Sequence, residues 1–262
     1  MTAIPAHSPG YRDGAEASFA VQFYLLGSVN YADCQWLQRR LVYEVGGYDD
    51  GRIIALLCEH PPLISVGRRG SRGHIRCTNE QLRRQRLDVC WVNRGGGCVL
   101  HGPGQLAIYP IVPLAWHGWT VGEYLRRLQQ AVLQTLHEFR IRAETYAPWA
   151  GVWGRSGQLA ACGVAVRDWI TCHGAFLNVN PAMANFHFVD VVDPRATVAG
   201  QKSTMGSLFA ERRQAVSTAK VRAALIPNLA ASFGTQHYHL ITGHPLLAQL
   251  PGSLCESSNR AS

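Results

Sequence analysis

The chain has 262 residues, of which 47% are hydrophobic and 16% charged, and its formal net charge is +8. These values are typical of a globular protein with one large core or two small ones. The sequence contains no apolar run of the roughly 18 residues that a membrane helix needs, and no N-terminal signal peptide. We therefore expect a cytoplasmic protein that does not bind membranes.

The basic charge comes almost entirely from arginine, because the only lysines are Lys202 and Lys220. A basic protein attracts either nucleic acids or acidic proteins. No helix-turn-helix, zinc-finger or RNA-binding aromatic motif accompanies the charge, so we expect no nucleic-acid partner and a monomer. The eight cysteines lack metal-ligand spacing, which favours free thiols over disulfides or a bound metal. No cofactor is expected either.

Hydrophobic periodicity predicts alternating strands and helices. Four helices are expected at residues 31–44, 78–86, 120–139 and 217–232, the last kinked or split by Pro227. Two of them begin with the pattern of a capping box, with Thr78 and Thr120 each followed three residues later by Gln or Glu. The predicted strands span residues 20–26, 53–58, 63–66, 89–92, 106–112, 151–153, 159–166, 169–172 and 175–179.

This order mixes hairpins with helices and contains no repeat or linker. It predicts an α+β fold, a single domain over residues 20–250 with a mixed, mainly antiparallel sheet and flanking helices. Residues 1–19 and 251–262 lack periodicity and are predicted to be disordered tails.

The most informative stretch is the glycine loop, which we define as residues 94–106, with the sequence RGGGCVLHGPGQL. Glycine lets the main chain approach a ligand without a Cβ in the way. Arg94 supplies a fixed cation and His101 an imidazole that can donate or accept a hydrogen bond. The loop therefore predicts a site that holds a carbonyl or a similar acyl group.

Two further segments carry candidate site residues. Small residues at 160–164 (AACGV) interrupt a predicted strand and predict either a channel beside the sheet or close packing against a helix. In the second segment, Cys172 and His173 are adjacent. Neighbouring strand residues point to opposite faces, so a direct Cys–His pair is not expected.

Taken together, these motifs resemble the signatures of lipoyl(octanoyl) transferases, in the order found in that family and across roughly residues 22–210. The matching segments are EHPP at 59–62, GRR at 67–69, RGG at 94–96, HGPGQL at 101–106, YP at 109–110, HG at 173–174 and LNV at 177–179.

The resemblance implies the catalytic fold of biotin and lipoate ligases and an acyltransferase of lipoate biosynthesis. The expected reaction moves an octanoyl or lipoyl group from acyl carrier protein to a lysine of a lipoyl domain. The acceptors would be lipoyl domains of 2-oxoacid dehydrogenase complexes or the glycine cleavage H protein. The expected substrate-binding residues are Arg94, Gly95, Gly96, Gly97, His101, Gly102, Gly104, Gln105, Ala161, Cys162, Gly163, His173, Gly174, Ala175 and Phe176.

The chain departs from that family at both catalytic positions. In the family a cysteine attacks the thioester and a lysine lowers the pKa of its thiol. Here Gln158 occupies the lysine position, and the cysteine position falls near Arg195, within a stretch that has no cysteine between Cys172 and Cys255.

Three hypotheses remain open. Cys98, Cys162 or Cys172 could replace the nucleophile, with Lys202 as the activating cation. The protein could be an inactive homologue, a pseudoenzyme that binds acyl chains or acyl carrier protein. The acyl group could instead pass directly from thioester to lysine, with the site only orienting and polarising the carbonyl. A lipoate ligase that adenylates its substrate is a weaker alternative, since the lysine it needs is also the one replaced by Gln158.

Overall fold

The structure is a computed structural model that describes residues 19–147, 149–190 and 205–250. Within these ranges the helices are α1 (Tyr31–Gly46), α2 (Asn79–Arg84), α3 (Val121–Glu138), α4 (Leu208–Arg212), α5 (Thr218–Ser232) and α6 (Pro245–Ala248). The strands are β1 (Val21–Ser28), β2 (Ile53–Glu59), β3 (Leu63–Val66), β4 (Asp88–Trp91), β5 (Cys98–His101), β6 (Gln105–Ile111), β7 (Gly151–Gly154), β8 (Gly157–Arg167), β9 (Ile170–Asn178) and β10 (Tyr238–Thr242).

The strands form a large and a small sheet. The large sheet has the order β10-β1-β2-β6-β9-β8-β7. Its β10, β1 and β2 run parallel, and every pairing from β2 through β6, β9 and β8 to β7 is antiparallel. The small sheet has the order β4-β3-β5, with β4 parallel and β5 antiparallel to β3. This confirms the α+β fold class and the mainly antiparallel, mixed sheet.

The large sheet is covered on both faces, and each covering helix presents an apolar stripe. On one face lie α3 and α5. Their buried residues, which include Leu128 of α3 and Leu225 of α5, recur every three or four positions. On the other face α1 buries Leu37 and Leu41 against β6 and β9. Beside α1, the small sheet has a core of its own around Ile64 and Leu100. The functional site lies between the small sheet, α1 and the large sheet.

The capping residues define the helix starts as predicted. Thr78 Oγ1 accepts from the Gln81 backbone N–H at 3.2 Å, and the Gln81 side chain accepts from the Thr78 N–H at 2.8 Å. At α3, Thr120 Oγ1 accepts from the Glu123 N–H at 3.1 Å. Both helices therefore begin at the residue after the threonine.

Several element predictions were wrong. The predicted strands at 169–172 and 175–179 are one strand, β9, in which His173 has a φ of 59°. Helix α5 is not split, because it continues through Pro227. Strand β5 was hidden inside the glycine loop, since only the short run at 98–100 is apolar there. The short elements α4, β10 and α6 were not predicted.

Parts of the sequence analysis fall outside the described residues. These are the predicted tails, apart from Phe19, and the stretch that contains Arg195 and Lys202. Among the helices of the described ranges, none is long and apolar enough to cross a membrane.

Candidate active site

The site is built around Arg94, which is 1% exposed. Its Nη1 donates to the carbonyl oxygens of Gly95 and Gly97 at 3.0 and 3.1 Å, which curls the glycine loop around the guanidinium. Its Nη2 donates to the backbone oxygen and to Oγ of Ser65 at 2.9 and 2.7 Å. The arginine therefore joins the glycine loop to β3 and fixes its own position.

From Ser65 a buried chain of hydrogen bonds continues to the large sheet. Ser65 Oγ lies 2.7 Å from His101 Nε2, and His101 Nδ1 lies 2.9 Å from Gln105 Oε1. The Gln105 amide donates to Asn178 Oδ1 at 2.9 Å, and Asn178 donates to the Gly206 carbonyl at 3.1 Å. We call the side chains of Arg94, Ser65, His101, Gln105 and Asn178 the polar chain.

The polar chain has one consistent direction of donation. Ser65 Oγ accepts from Arg94, so its hydroxyl proton is free to go to His101 Nε2, and Nδ1–H then donates to Gln105. Burial is the main cause that holds the pKa of His101 well below its usual range, and His60 and Arg94 add to it. The imidazole is therefore neutral, and its proton is on Nδ1.

Two buried donors beside this chain have no hydrogen-bond partner among the described residues. They are Tyr31 Oη and Arg94 Nε. Tyr31 is 6% exposed, and its ring lies 5.3 Å from the His101 ring. Burial raises the pKa of Tyr31 to about 12, opposed by the nearby Arg94 and Ser65, so its phenol keeps the proton. A buried donor without an acceptor is costly, which indicates a place for an acceptor atom of a ligand.

His60, from the EHPP segment, lies behind Tyr31. Its Nδ1 is 2.7 Å from the Val29 carbonyl and its Nε2 is 2.7 Å from Tyr109 Oη. Burial lowers the pKa of His60 to about 4. It is therefore a neutral, structural histidine that holds the chain entering β3.

A cavity of about 300 Å³ lies between α1, the end of β4 and the β8–β9 hairpin. His173 is at its wall, with Nδ1 accepting from Gln35 at 3.2 Å and Nε2 facing Asn93 Oδ1 at 3.0 Å. Burial, and secondarily Arg94, lowers the pKa of His173 to about 4. Half of the twelve residues that line the cavity are polar or charged, and Trp91, one of the others, is 63% exposed. We call this cavity, which lies next to the polar chain and contains two arginines in its wall, the polar entrance.

The glycines of the loop serve mainly for close packing of backbone. A Cβ on Gly163 of β8 would lie 2.4 Å from the Gly95 oxygen, and the Gly95 N–H donates to the Val164 oxygen. The channel expected beside this part of β8 is therefore filled by the glycine loop. Gly104 has a φ of 84°, and a Cβ there would meet the Asn180 backbone. A Cβ on Gly97 or Gly102, in contrast, would meet nothing within 4 Å.

The alternation of β8 and β9 divides the remaining predicted residues between two faces. Ala161 and Phe176 pair across the strands on the α1 face, and the Phe176 ring lies 4.4 Å from His101. Cys162 and Ala175 pair on the opposite face, in the core under α3 and α5. These two residues are thus separated from the polar chain by the sheet, and their role in substrate binding stays a prediction. Gly174 makes room for the Ile108 carbonyl.

The three candidate cysteines have different surroundings. Cys98 packs in the core of the small sheet and donates to the Ser71 oxygen at 3.7 Å. Burial raises the pKa of Cys162 to about 12. Cys172 and His173 both line the cavity. Neighbouring strand residues were expected to point to opposite faces, but the positive φ of His173 breaks this alternation. Its thiol donates to the Ala165 oxygen at 3.6 Å, and burial raises its pKa.

Gln158 joins the site through its main chain. Its carbonyl accepts from the Gly206 N–H at 2.9 Å and from the Asn178 amide at 3.4 Å. No sequence reasoning predicted Ser65, Tyr31, Gln35 or Asn93 as site residues. For Ser65 the sequence offered one signal, its place in the predicted strand that directly follows the EHPP segment. Tyr31, Gln35 and Asn93 reach the site only through the packing of α1 and of the chain around β4.

This arrangement can bind and polarise a carbonyl. It offers a guanidinium N–H and a phenol that remains protonated, which are donors suited to an oxygen that gains negative charge. The described residues of the site include no lysine and no thiol with a lowered pKa.

Comparison with known proteins shows which protein family this chain resembles. Residues 30–230 match the model of the lipoyl protein ligase A/B catalytic domain. An octanoyltransferase of Roseiflexus sp. (strain RS-1) is 33% identical over 233 residues, which cover 88% of this chain and 94% of that protein. An octanoyltransferase of Chloroflexus aggregans is 34% identical over 216 residues, covering 80% of this chain and 93% of that protein.

Solved structures show the same fold at low identity. A putative lipoate protein ligase from T. acidophilum with bound lipoic acid aligns with a TM-score of 0.63 and 14% identity, over 86% of this chain and 90% of that chain. A lipoate-protein ligase A bound with ATP aligns with a TM-score of 0.64 and 14% identity, again over 86% and 90%.

Proposed function

The chain belongs to the family of the lipoyl protein ligase A/B catalytic domain and transfers octanoyl groups in protein lipoylation, and we propose from its site how it does so. The donor is octanoyl-acyl carrier protein and the acceptor is a lysine of a lipoyl domain. The protein acts as a monomer in the cytoplasm, without nucleic acid or membrane.

The partners in this proposal are supported by charge. The chain has a net charge of +8, and Arg39 and Arg167 line the polar entrance. A basic entrance attracts acidic proteins and speeds their encounter. Carrier proteins of acidic character therefore suit this side of the molecule.

One observation carries the mechanism: the two buried donors, Tyr31 Oη–H and Arg94 Nε–H, have no acceptor among the described residues. In our proposal both point to the oxygen of the octanoyl carbonyl. That oxygen becomes negative when the carbonyl is attacked, and fixed donors stabilise it more in the transition state than in the ground state.

The acyl group passes directly from thioester to lysine. The neutral lysine amine attacks the carbonyl carbon, the bond from carbon to sulfur breaks, and the amine gives up a proton as the carrier thiol is restored. Holding amine and thioester together makes the step effectively unimolecular, which can supply much of the rate without a nucleophile from the protein. This route needs neither a lysine at Gln158 nor a cysteine near Arg195.

The polar chain keeps the two donors in place. Arg94 is held by four hydrogen bonds, and the ring of Tyr31 rests against that of His101. Because His101 is neutral, Arg94 alone supplies positive charge among the five residues of the polar chain. The role of the histidine is thus to orient the guanidinium through Ser65.

The test incubates the protein with octanoyl-acyl carrier protein and follows it by intact mass spectrometry, before and after an apo lipoyl domain is added. We expect octanoylated lipoyl domain without an octanoyl adduct on the protein, and full activity in the Cys172→Ala variant. An adduct on Cys172 would show acyl transfer through a relocated nucleophile and would contradict direct transfer.

Two further results would count against the proposed donor or against activity. Binding of the acyl carrier protein without any product would establish the pseudoenzyme hypothesis. Product formed from free octanoate and ATP, but not from the thioester, would identify a ligase instead.

A further inference from the structure

Three buried ligand atoms outside the polar chain converge between α1 and β2. Cys34 projects from α1, Cys58 from β2, and His60 follows directly after β2. The ligand atoms of these residues all lie within 4.8 Å of one another, and the residues are at most 2% exposed. The proposed transfer reaction uses none of them.

Two of the three distances among these atoms are close to the edges of a tetrahedral metal site. The two sulfur atoms are 4.0 Å apart, and Cys58 Sγ is 3.7 Å from His60 Nε2. Bond lengths of about 2.3 Å to sulfur and 2.0 Å to nitrogen put the corresponding edges of a zinc tetrahedron at roughly 3.8 and 3.6 Å. Small side-chain movements would therefore suffice to place a metal between them.

The hydrogen bonds of His60 leave its Nε2 atom unprotonated and turned towards the two sulfur atoms. Nδ1–H donates to the Val29 carbonyl at 2.7 Å, so the lone pair of Nε2 faces the two sulfur atoms and Tyr109 Oη. A backbone carbonyl on the second ring nitrogen is the usual arrangement around a histidine that binds a metal. In the metal-free protein this lone pair accepts from Tyr109 Oη–H at 2.7 Å, so Nε2 would exchange that hydrogen bond for the bond to the metal. The Gln38 amide donates to Cys34 Sγ at 3.7 Å and would support a thiolate there.

We propose that Cys34, Cys58 and His60 form a structural zinc site with three protein ligands. Binding releases the two thiol protons, and Zn²⁺ with two thiolates leaves no net charge to be buried. The site would attach α1 to β2 immediately behind Tyr31, whose ring lies 5.1 Å from that of His60. It gave no sequence signal, because its two cysteines are 24 positions apart and lie on different elements.

The test uses the full chain, reduced and freed of metal with a chelator, and titrated with Zn²⁺ or with Co²⁺ as a spectroscopic probe. We expect one equivalent to bind, with an intense sulfur-to-cobalt absorption band, protection of two thiols from a thiol reagent, and a higher Tm. The Cys34→Ser/Cys58→Ser variant should lose the sulfur-to-cobalt band and the one-equivalent binding, because both thiolate ligands are gone, while Cys77→Ser, a buried cysteine of the small-sheet core, should bind as the parent does.

Three results would overturn the proposal. One is Co²⁺ binding without the sulfur band. Another is equal affinity in the parent and the double variant. The third is formation of a Cys34–Cys58 disulfide, under mild oxidation, that excess Zn²⁺ does not prevent. The cobalt band is measured on the parent chain, so this arm of the test does not depend on the folding of any variant.

Discussion

At the scale of single residues, Tyr31 has a hydroxyl whose contribution to substrate binding can be distinguished from its contribution to folding stability. Its hydroxyl is buried without a partner among the described residues, so the folded protein gains little from it. A group that weakens the fold and remains in the site is expected to act on the substrate.

We predict that Tyr31→Phe lowers kcat of octanoyl transfer by about 100-fold, the usual effect of removing one oxyanion donor. The free energy of unfolding should stay the same or rise, because the substitution removes only the unpaired hydroxyl. Steady-state kinetics and urea unfolding of the variant measure the two quantities.

Tyr124→Phe is the matched control, since Tyr124 lies in the core under α3 and its hydroxyl donates to the Pro110 oxygen at 3.4 Å. It should lose about 1 kcal/mol of stability and keep its kcat. If Tyr31→Phe behaved in the same way, the phenol would be structural and the proposed carbonyl site would be wrong.

Histidines that are buried or half-buried in the fold make stability depend on pH. Burial lowers the pKa values of His60, His117 and His173 to about 4, whereas in the unfolded chain they are near 6.5. As pH falls from about 6.5 towards 4, the unfolded state therefore binds protons that the fold excludes. This stabilisation is complete above about pH 6.5 and is lost on acidification, at up to about 1.4 kcal/mol per histidine and pH unit.

The urea midpoint should thus drop clearly between about pH 7 and pH 5. His117→Gln, which removes one of the contributing histidines, should show a smaller drop than the parent chain. A midpoint that is constant over this range would contradict the neutral, buried assignment of these rings.

At the scale of elements, the contact between β8 and the glycine loop positions the guanidinium. Gly163 allows the Gly95 carbonyl to approach β8, and Gly95 begins the loop that curls around Arg94. Since the obstructing atom is backbone, a side chain here cannot be accommodated by a change of rotamer.

Gly163→Ala is therefore expected to destabilise the protein by about 1–3 kcal/mol and to lower activity by displacing Arg94. Gly102→Ala is the control, because a Cβ at Gly102 meets no atom within 4 Å, and its stability should be unchanged. Thermal unfolding of the two variants, compared by their Tm values, measures the difference in stability. Equal Tm values would mean that the loop is not held against β8.

At the scale of the whole molecule, periodicity and capping were sufficient to predict the elements that have a long apolar stripe. The helices α1 and α3 and the strand β2 follow directly from such patterns. The small sheet did not, because β5 is only four residues long and lies within glycines. Its existence depends on pairing with β3, which is a tertiary interaction.

The site residues, like the elements, were predictable only where a local sequence pattern marks them. Arg94, His101 and Gln105 share one short segment, and the structure joins them in the polar chain. Tyr31 and Asn93 come from separate elements, and no local pattern marks them. The two sides of β8 could not be told apart either, because Ala161 and Cys162 are both small and differ only in the face of the sheet they occupy.

The hydrogen bonds of Arg94 go only to neutral acceptors, and among the described residues it makes no ion pair. The electrostatic potential at the proposed carbonyl site is therefore positive even before a substrate arrives. Free octanoate, which carries the same chain and a full negative charge, should for this reason inhibit competitively against the thioester, and at least about tenfold more strongly than uncharged octanamide. Inhibition assays with the two compounds test this, and equal potency would contradict it. An enzyme with this site would be slowed by the free acid of its own acyl group, so it would work best where octanoate is kept esterified.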